Sequence, residues 1–380
     1  MIAVLLSNLM ESFQQGMWEK MLGTTMSFTG DVQVQGKYFW EEQTLDNGIL
    51  QNDSLLEQIG SIKKVKAVTP RIQSGALSAY KDLSRFVQII GLNPEKEESV
   101  IHFQEKLYKG NLLTANDDGI IVGKGVADYF ELGVGDTLSL IGQGYHGESA
   151  NGNYVVKGII KYGAPEMNSR LVIMPFKLAS HHFSSEGTIT SYNINLEKVT
   201  QSKKVAQQIV ATIDTANYKV MSWQQMMPEL EQAYQADTGG ALMFLLVLYV
   251  IISFGIFGTI LMMTTERLYE FGVMVSIGMK RMKLVLIIFI EVLMLAFLSV
   301  TLGSVLSYPF MYLLANNPIP MTGKFAESMS EYGFEAVIIG TTNPIIIQYN
   351  AIAVLIISIF VVIYPTVKIL KLNPITAMKK

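Results

Sequence analysis

Polar and apolar positions are segregated along this chain. From about Gln15 to Asp237, charged, polar and apolar residues alternate over short distances between glycine- and asparagine-containing turns. Three long apolar runs follow. Ala241–Thr264 contains no charged residue, Leu284–Ala315 contains one, Glu291, and Ile345–Ile363 contains none, its apolar character continuing to about Leu370. A helix needs roughly 20 apolar residues, at about 1.5 Å rise each, to cross the hydrocarbon core of a bilayer. All three runs reach that length, and a soluble core helix so long would carry a polar face. The pattern predicts three membrane-spanning helices behind a large polar domain.

Lysine and arginine placement orients the spans, because cytoplasmic loops carry the excess of both. The link Thr265–Lys283 holds Arg267, Lys280, Arg281 and Lys283, and the tail holds Lys368, Lys371, Lys379 and Lys380. The loop at Asn316–Pro344 has Lys324 against Glu327, Glu331 and Glu335. Link and tail are therefore predicted inside, and the loop and the polar domain outside. Met1–Leu9 (MIAVLLSNL) is apolar, is too short to span, and has no basic segment before it. It is expected to be the outer part, within residues 1–15, of a fourth span whose inner half is absent from this chain.

The external domain, about residues 16–238, reads as α+β. Asp31–Gly36, Val65–Ile72, Phe86–Gly91, Thr190–Leu196 and Tyr218–Ser222 have strand patterns, and Leu55–Ile62 and Ser202–Ile213 have helical ones, the first capped by Asp53 or Ser54. Between these flanks, at about 93–185, lies a glycine-rich stretch with strands at Thr137–Ile141, Tyr154–Lys161 and Arg170–Met174. The economical reading is one α+β subdomain built from both flanks with a β-rich insertion. Met10–Met26 and Glu229–Asp237 look helical and lead to and from the membrane, the second interrupted by Thr238, Gly239 and Gly240. Such a pair would form a stiff stalk able to carry motion.

Composition agrees with a membrane protein: 50% apolar and 16% charged residues at a mean hydropathy of +0.32, where soluble domains hold about 25% charged residues. A net charge of -3 offers no basic face for nucleic acid. The absence of cysteine excludes disulfides, thiolate metal sites and cysteine nucleophiles. No catalytic constellation emerges. Gly119–Gly125 (GIIVGKG) has three residues between its glycines and no hydroxyl after its lysine, so it reads as a helix-capped surface loop rather than a phosphate loop. His181 and His182 are adjacent, would diverge by about 100° on a helix, and read as surface residues. Neither residue pair nor motif suggests a metal. Glu291 stands out, about eight residues and ~12 Å into the second run. A carboxylate there is either functional or paired with Arg267, Lys280 or Arg281.

The link is the second distinctive feature. Leu268, Phe271, Val275 and Met279 recur at three or four residues, predicting a short amphipathic helix that rests on headgroups or docks into a cytoplasmic partner. Its run Glu266-Arg267-Leu268-Tyr269-Glu270-Phe271-Gly272-Val273-Met274-Val275-Ser276-Ile277-Gly278-Met279-Lys280-Arg281, between two spans, resembles the FtsX-like permease domain of ABC transporters. The likeness extends to Glu291 and to the tail Tyr364-Pro365-Thr366 and Leu372-Asn373-Pro374-Ile375-Thr376-Ala377-Met378. Leu132-Gly133-Val134-Gly135-Asp136-Thr137 and Val156-Lys157-Gly158-Ile159 similarly resemble the MacB-like periplasmic core.

The resemblance implies an α-helical transmembrane bundle, three full spans plus half of a fourth, bearing an α+β extracytoplasmic domain of MacB-like periplasmic core type. The permease domain would occupy residues 239–380, with spans at about 241–264, 284–315 and 345–370 and a cytoplasmic coupling link at 265–283. Such a subunit pairs with a second permease, as homo- or heterodimer, in the bacterial inner membrane. Separate cytosolic ABC ATPase subunits bind ATP and Mg, and this chain holds no cofactor and catalyses nothing. By that analogy Glu266, Arg267, Glu270, Phe271, Gly272, Ile277, Gly278, Lys280 and Arg281 contact the ATPase. The lipoprotein-releasing (LolC/LolE-like) branch fits best, because its ATPases are separate and its external domain is of this size. A periplasmic carrier or outer-membrane partner would then complete the system. A MacB-like exporter and a cell-division-type permease are the alternatives. From another class, a membrane-anchored sensor or intramembrane enzyme would use Glu291 as its active group.

Overall fold

The computed structural model describes residues 1–162, 165–324, 326 and 336–371. The loop acids Glu327, Glu331 and Glu335 and the tail from Leu372 to Lys380 lie outside the described residues. Two compact units form: the described residues of Met1–Trp18, Ala233–Pro320 and Val337–Lys380 make one, and those of Glu19–Gln232 and Met321–Ala336 make the other. Met1–Leu9 and Met10–Met26 belong to a single helix, α1 (Ile2–Thr29).

In the external unit, one sheet contains β1 (Val32–Gly36), β2 (Val65–Tyr80), β3 (Leu83–Leu92), β4 (Leu107–Gly110), β5 (Ile120–Gly123), β6 (Thr137–Gln143), β7 (Ser149–Ile160), β8 (Leu171–Pro175), β9 (Ser191–Leu196) and β10 (Tyr218–Ser222). Its order is β10-β1-β9-β2-β3-β8-β5-β7-β4, and β6 pairs with both β2 and β7. The strands β2-β3-β8-β5-β7-β6 therefore close a ring. Each of those strands thus pairs with at least two neighbours. The long β2 serves two neighbourhoods: Val65–Arg71 pairs with β9, and Ile72–Tyr80 with β3. Ile72, Val87, Ile120, Val122, Leu138, Leu140, Val156 and Val172 are wholly buried and share one core cluster. A second core joins Val32, Val34 and Ile194 to Ile59 of α2 (Asp53–Gly60), and it includes Ile209 further along the chain. Each such fully buried side chain contributes about 1.5–3 kcal/mol.

Short helices α3 (Pro94–Ile101), α4 (Lys124–Phe130), α5 (Phe176–His182) and α6 (Ser202–Thr212) are among the others in this unit. Three local expectations change. The cap of α2 is Asn52, whose Oδ1 accepts from Leu55 N at 3.2 Å, not Asp53 or Ser54. The segment GIIVGKG is not a surface loop: Ile120–Gly123 is a buried strand that feeds α4. Its glycines serve packing, since a Cβ at Gly123 would stand 2.5 Å from the Asn168 carbonyl oxygen. Finally, His182 is buried, and only His181 is exposed.

Among the described residues three helices are long and apolar enough to cross a membrane, all in the other unit from Ala233 onward: α7 (Pro228–Glu266), α9 (Arg281–Asn316), and the pair α10 (Pro344–Val361) and α11 (Ile363–Leu370). Between the first two lies α8 (Leu268–Ser276). Thr238, Gly239 and Gly240 do not interrupt α7, which runs through them. The α10–α11 break has a local cause. Pro365 lacks the N–H that would bond Val361 and its ring clashes with that carbonyl. Buried positions on α9, namely Leu284, Ile288, Val292, Ala296, Val300, Gly303, Ser307 and Met311, repeat every three or four residues and mark its packed stripe. At Gly303, a Cβ would stand 2.8 Å from Val4 Cβ, so α1 and α9 meet at backbone distance.

Candidate coupling link and polar network of the spans

The link folds as its spacing requires. Phe271 and Gly272 of α8 are buried, and Phe271 joins Ile260, Leu284, Ile288, Val292, Val361, Val362 and Ile369 in one apolar cluster. At the far end Gly278 adopts φ +104°, a conformation that favours glycine. Gly278 N donates to Val275 O at 3.1 Å and Met279 N to Met274 O at 3.0 Å, the Schellman pattern that stops a helix and turns the chain. Met274 and Met279 both pack on the apolar cluster, which fixes the turn. Glu266, Arg267, Tyr269, Glu270, Gly278, Lys280 and Arg281 are exposed, and Ile277 is 81% exposed. An isoleucine so presented, beside charges of both signs, is suited to an apolar socket with a polar rim.

The structure brings some predicted residues together and leaves others apart. Arg267 Nη1 donates to Glu291 Oε1 at 3.0 Å and Oε2 at 3.1 Å. Arg281 Nη1 instead donates to Leu370 O at 2.8 Å, satisfying a carbonyl at the end of α11. Glu291 is thus paired with the first of its three proposed partners. Around the pair stand Ile260, Met263, Thr264, Phe271, Ile288 and Val292.

A second polar network was not foreseen. Asn350 of α10, fully buried, donates through Nδ2 to Glu11 Oε2 at 2.6 Å and accepts from the Tyr249 hydroxyl. Asn8 Nδ2 donates to Ser307 Oγ at 2.9 Å, and Ser12 Oγ to Thr341 O at 2.6 Å. Ser7, Asn8, Glu11 and Ser12 fall three or four residues apart, a polar stripe on one face of α1. That spacing was available in the sequence, hidden by the apolar residues around it. Further along, Asp237 Oδ2 accepts from Trp18 Nε1 at 2.7 Å and Gln14 Nε2 at 3.1 Å.

In the external unit the last turn of α1 is held by side chains of the sheet. Gln33 and Asn193 donate to Thr29 O at 2.6 and 2.8 Å, Asn195 to Met26 O at 3.1 Å, and Arg71 to Phe28 O. The bonds to Phe28 O and Thr29 O satisfy carbonyls that a helix end otherwise leaves unpaired, while Met26 O also accepts from Gly30 N at 2.8 Å. Arg71, wholly buried, also pairs with Glu97, its Nε 2.9 Å from Oε1. Asp31 accepts from Leu196 N at 2.7 Å, yet burial outweighs that bond and raises its pKa to about 6. Burial, aided by His181, lowers His182 to about 4, while its Nδ1 lies 2.8 Å from the Tyr154 hydroxyl. Among the described residues, no group of three or more His, Cys, Asp or Glu could hold a metal ion.

Comparison with known proteins gives two family matches. Residues 1–212 match the MacB-like periplasmic core domain, and residues 242–374 match the FtsX-like permease C-terminal region. The lipoprotein-releasing system transmembrane protein LolC of Neisseria meningitidis serogroup B is 19% identical over 249 residues, covering 62% of this chain. The chain spans 58% of that relative's length. Among solved structures, the periplasmic region of MacB from Actinobacillus actinomycetemcomitans is 13% identical, with a TM-score of 0.37, covering 54% of this chain and 94% of its own. The extracellular domain of the Gram-positive transporter YknZ is 15% identical, with a TM-score of 0.34, covering 50% of this chain and all of its own.

Proposed function

Since this chain belongs to the FtsX-like permease family with a MacB-like periplasmic core, we propose that it transmits the ATP-driven closure of separate ATPase subunits to its external domain. The observation that carries this reading is the link. One side of α8 is sunk into the cluster around Phe271, while Tyr269 and Glu270 are exposed, as is Ile277 just before the glycine-stopped turn. A helix fixed to the spans on one face and exposed on the other can deliver a push to them. A flexible loop would absorb it.

ATP and Mg would be bound by the partner, and Glu266, Arg267, Glu270, Phe271, Gly272, Ile277, Gly278, Lys280 and Arg281 form the coupling segment. Within it the roles divide. Phe271 and Gly272 anchor the segment, while Glu266, Glu270, Ile277 and Lys280 meet the ATPase. A second permease copy or paralogue completes the membrane unit. Release or export of lipoproteins from the inner membrane is the favoured cargo function, supported by the relationship to LolC. MacB-like efflux is the alternative. Purified chain should hydrolyse no ATP, and a co-expressed ATPase should co-purify with it. Gly278→Asp or Glu270→Lys should weaken that capture, and undiminished capture by both variants would overturn the coupling role.

A further inference from the structure

Arg267 occupies the joint between two helices. Its N donates to Met263 O at 3.3 Å, the last bond of α7, and its carbonyl accepts from Phe271 N at 3.0 Å, the first of α8. With φ -91° and ψ 7° it departs from the helical path, and its side chain caps neither helix. The guanidinium reaches α9, where one nitrogen contacts both oxygens of Glu291. The contact spans 24 residues of sequence and borders a small cavity shared with Ile260, Phe271, Ile288 and Val292.

An arginine at the end of a span ordinarily extends its charge towards the headgroups and water. Here it points at a carboxylate ten positions into α9, about 15 Å along that helix from Arg281. The pair is partly open, with side-chain exposures of 47% and 30%. Phe271 holds α8 to the apolar cluster, but Leu268 and Met274 beside it are only partly buried, so apolar packing alone leaves the orientation of the joint less sharply defined. A charge-assisted contact of fixed length removes that freedom.

We infer that Glu291 is a positioning residue: acting through Arg267, it locks the α7–α8 joint to α9, so that the coupling link and the second span move as one body. This rests on the coupling function proposed above, and it gives Glu291 a part other than that of an intramembrane active group. Glu291→Gln would leave the spans inserted and the link folded but free to swivel.

The chain contains no cysteine, so Val273→Cys, at a half-buried position of α8 outside the residues assigned to the ATPase, gives a single site for a nitroxide label. In nanodiscs of phosphatidylethanolamine and phosphatidylglycerol, the label should be immobilised in the otherwise unchanged protein. It should become mobile in Glu291→Gln and in Arg267→Gln. Membrane yield and ATPase capture should persist, while stimulation of the bound ATPase falls to its basal rate. The exchanged pair R267E/E291R should restore both immobilisation and stimulation, and Arg267→Lys should restore them in part if the exchanged pair fails to insert. Wild-type label mobility in Glu291→Gln overturns the inference. So does impairment of both single variants with no recovery in either the exchanged pair or Arg267→Lys. If no ATPase is captured by the unsubstituted protein, the coupling function fails instead, and the label mobilities still decide the role of Glu291.

Discussion

The indole of Trp18 donates to the carboxylate of Asp237 at 2.7 Å, joining α1 to α7. Gln14, one turn earlier on α1, reaches the same oxygen, and Tyr234, one turn earlier on α7, meets the Trp18 ring edge-on at 5.0 Å. The contacts at Glu11 and Tyr249, both to Asn350, lie deeper on the same two helices. The two helices are thus bound at two levels.

Asp237→Ala should therefore destabilise the protein. Trp18 is 7% exposed, and its N–H would lose its acceptor. An unsatisfied buried donor costs about 1–3 kcal/mol. Asp237→Asn keeps an acceptor oxygen and should lose less than half as much. Thermal unfolding in detergent micelles checks the order, and equal effects of the two substitutions would contradict it.

Asn350 supplies a second expectation. In membranes an interhelical hydrogen bond contributes on average about 0.6 kcal/mol, with ~1.7 the largest measured in one well-studied system. Asn350→Leu removes two, and it leaves the Glu11 carboxylate without its donor. Removing one partner is worse than removing both. The pair Glu11→Leu with Asn350→Leu should consequently be more stable than Asn350→Leu alone, measured by the same unfolding assay. If the double variant is the weaker, Glu11 has another partner.

What the sequence made legible follows from how far each signal reaches. The spans were readable because length and hydropathy are properties of one segment. The link helix was readable from its apolar positions, although it ends at Ser276, before the last of them, Met279. The closed ring was not, because alternation identifies a strand but not its neighbour, and β2 meets β6 across some sixty residues. Arg71 and Glu97 are likewise ordinary charges in sequence. Only the fold removes both from water. His182 was misread because adjacency to His181 excluded metal binding but said nothing about which ring faces the core.

The Arg71–Glu97 pair should be sensitive to single substitution. Both side chains are within 1% of complete burial, and breaking such a pair from one side costs about 3–5 kcal/mol. Glu97→Gln strands the guanidinium that also holds Phe28 O at the end of α1. Amide exchange in the last turn of α1 should accelerate in this variant more than exchange in α6. Uniform acceleration would mean that the pair stabilises the unit without specifically anchoring that helix.

The remaining prediction concerns pH. His182 sits at about 4 in the folded protein, below its ordinary 6.5, because burial disfavours its charged form. Between those values the unfolded chain binds more protons at this site, so stability falls as pH drops from 6.5 towards 4. Asp31 behaves oppositely. Its folded value of about 6 exceeds the ordinary 3.8, again chiefly by burial, so its contribution grows as pH drops from 6 and is lost as pH rises through 6. Each slope is at most about 1.4 kcal/mol per pH unit, and between 4 and 6 the two oppose each other. His182→Gln should remove one of them. Relative to the unsubstituted protein, its stability should improve steadily as pH falls from 6.5 to 4, whereas that of Asp31→Asn should decline from 6 to 4. Chemical denaturation across that range provides the comparison, and parallel curves for His182→Gln and the unsubstituted protein would show that His182 takes up its proton without unfolding pressure.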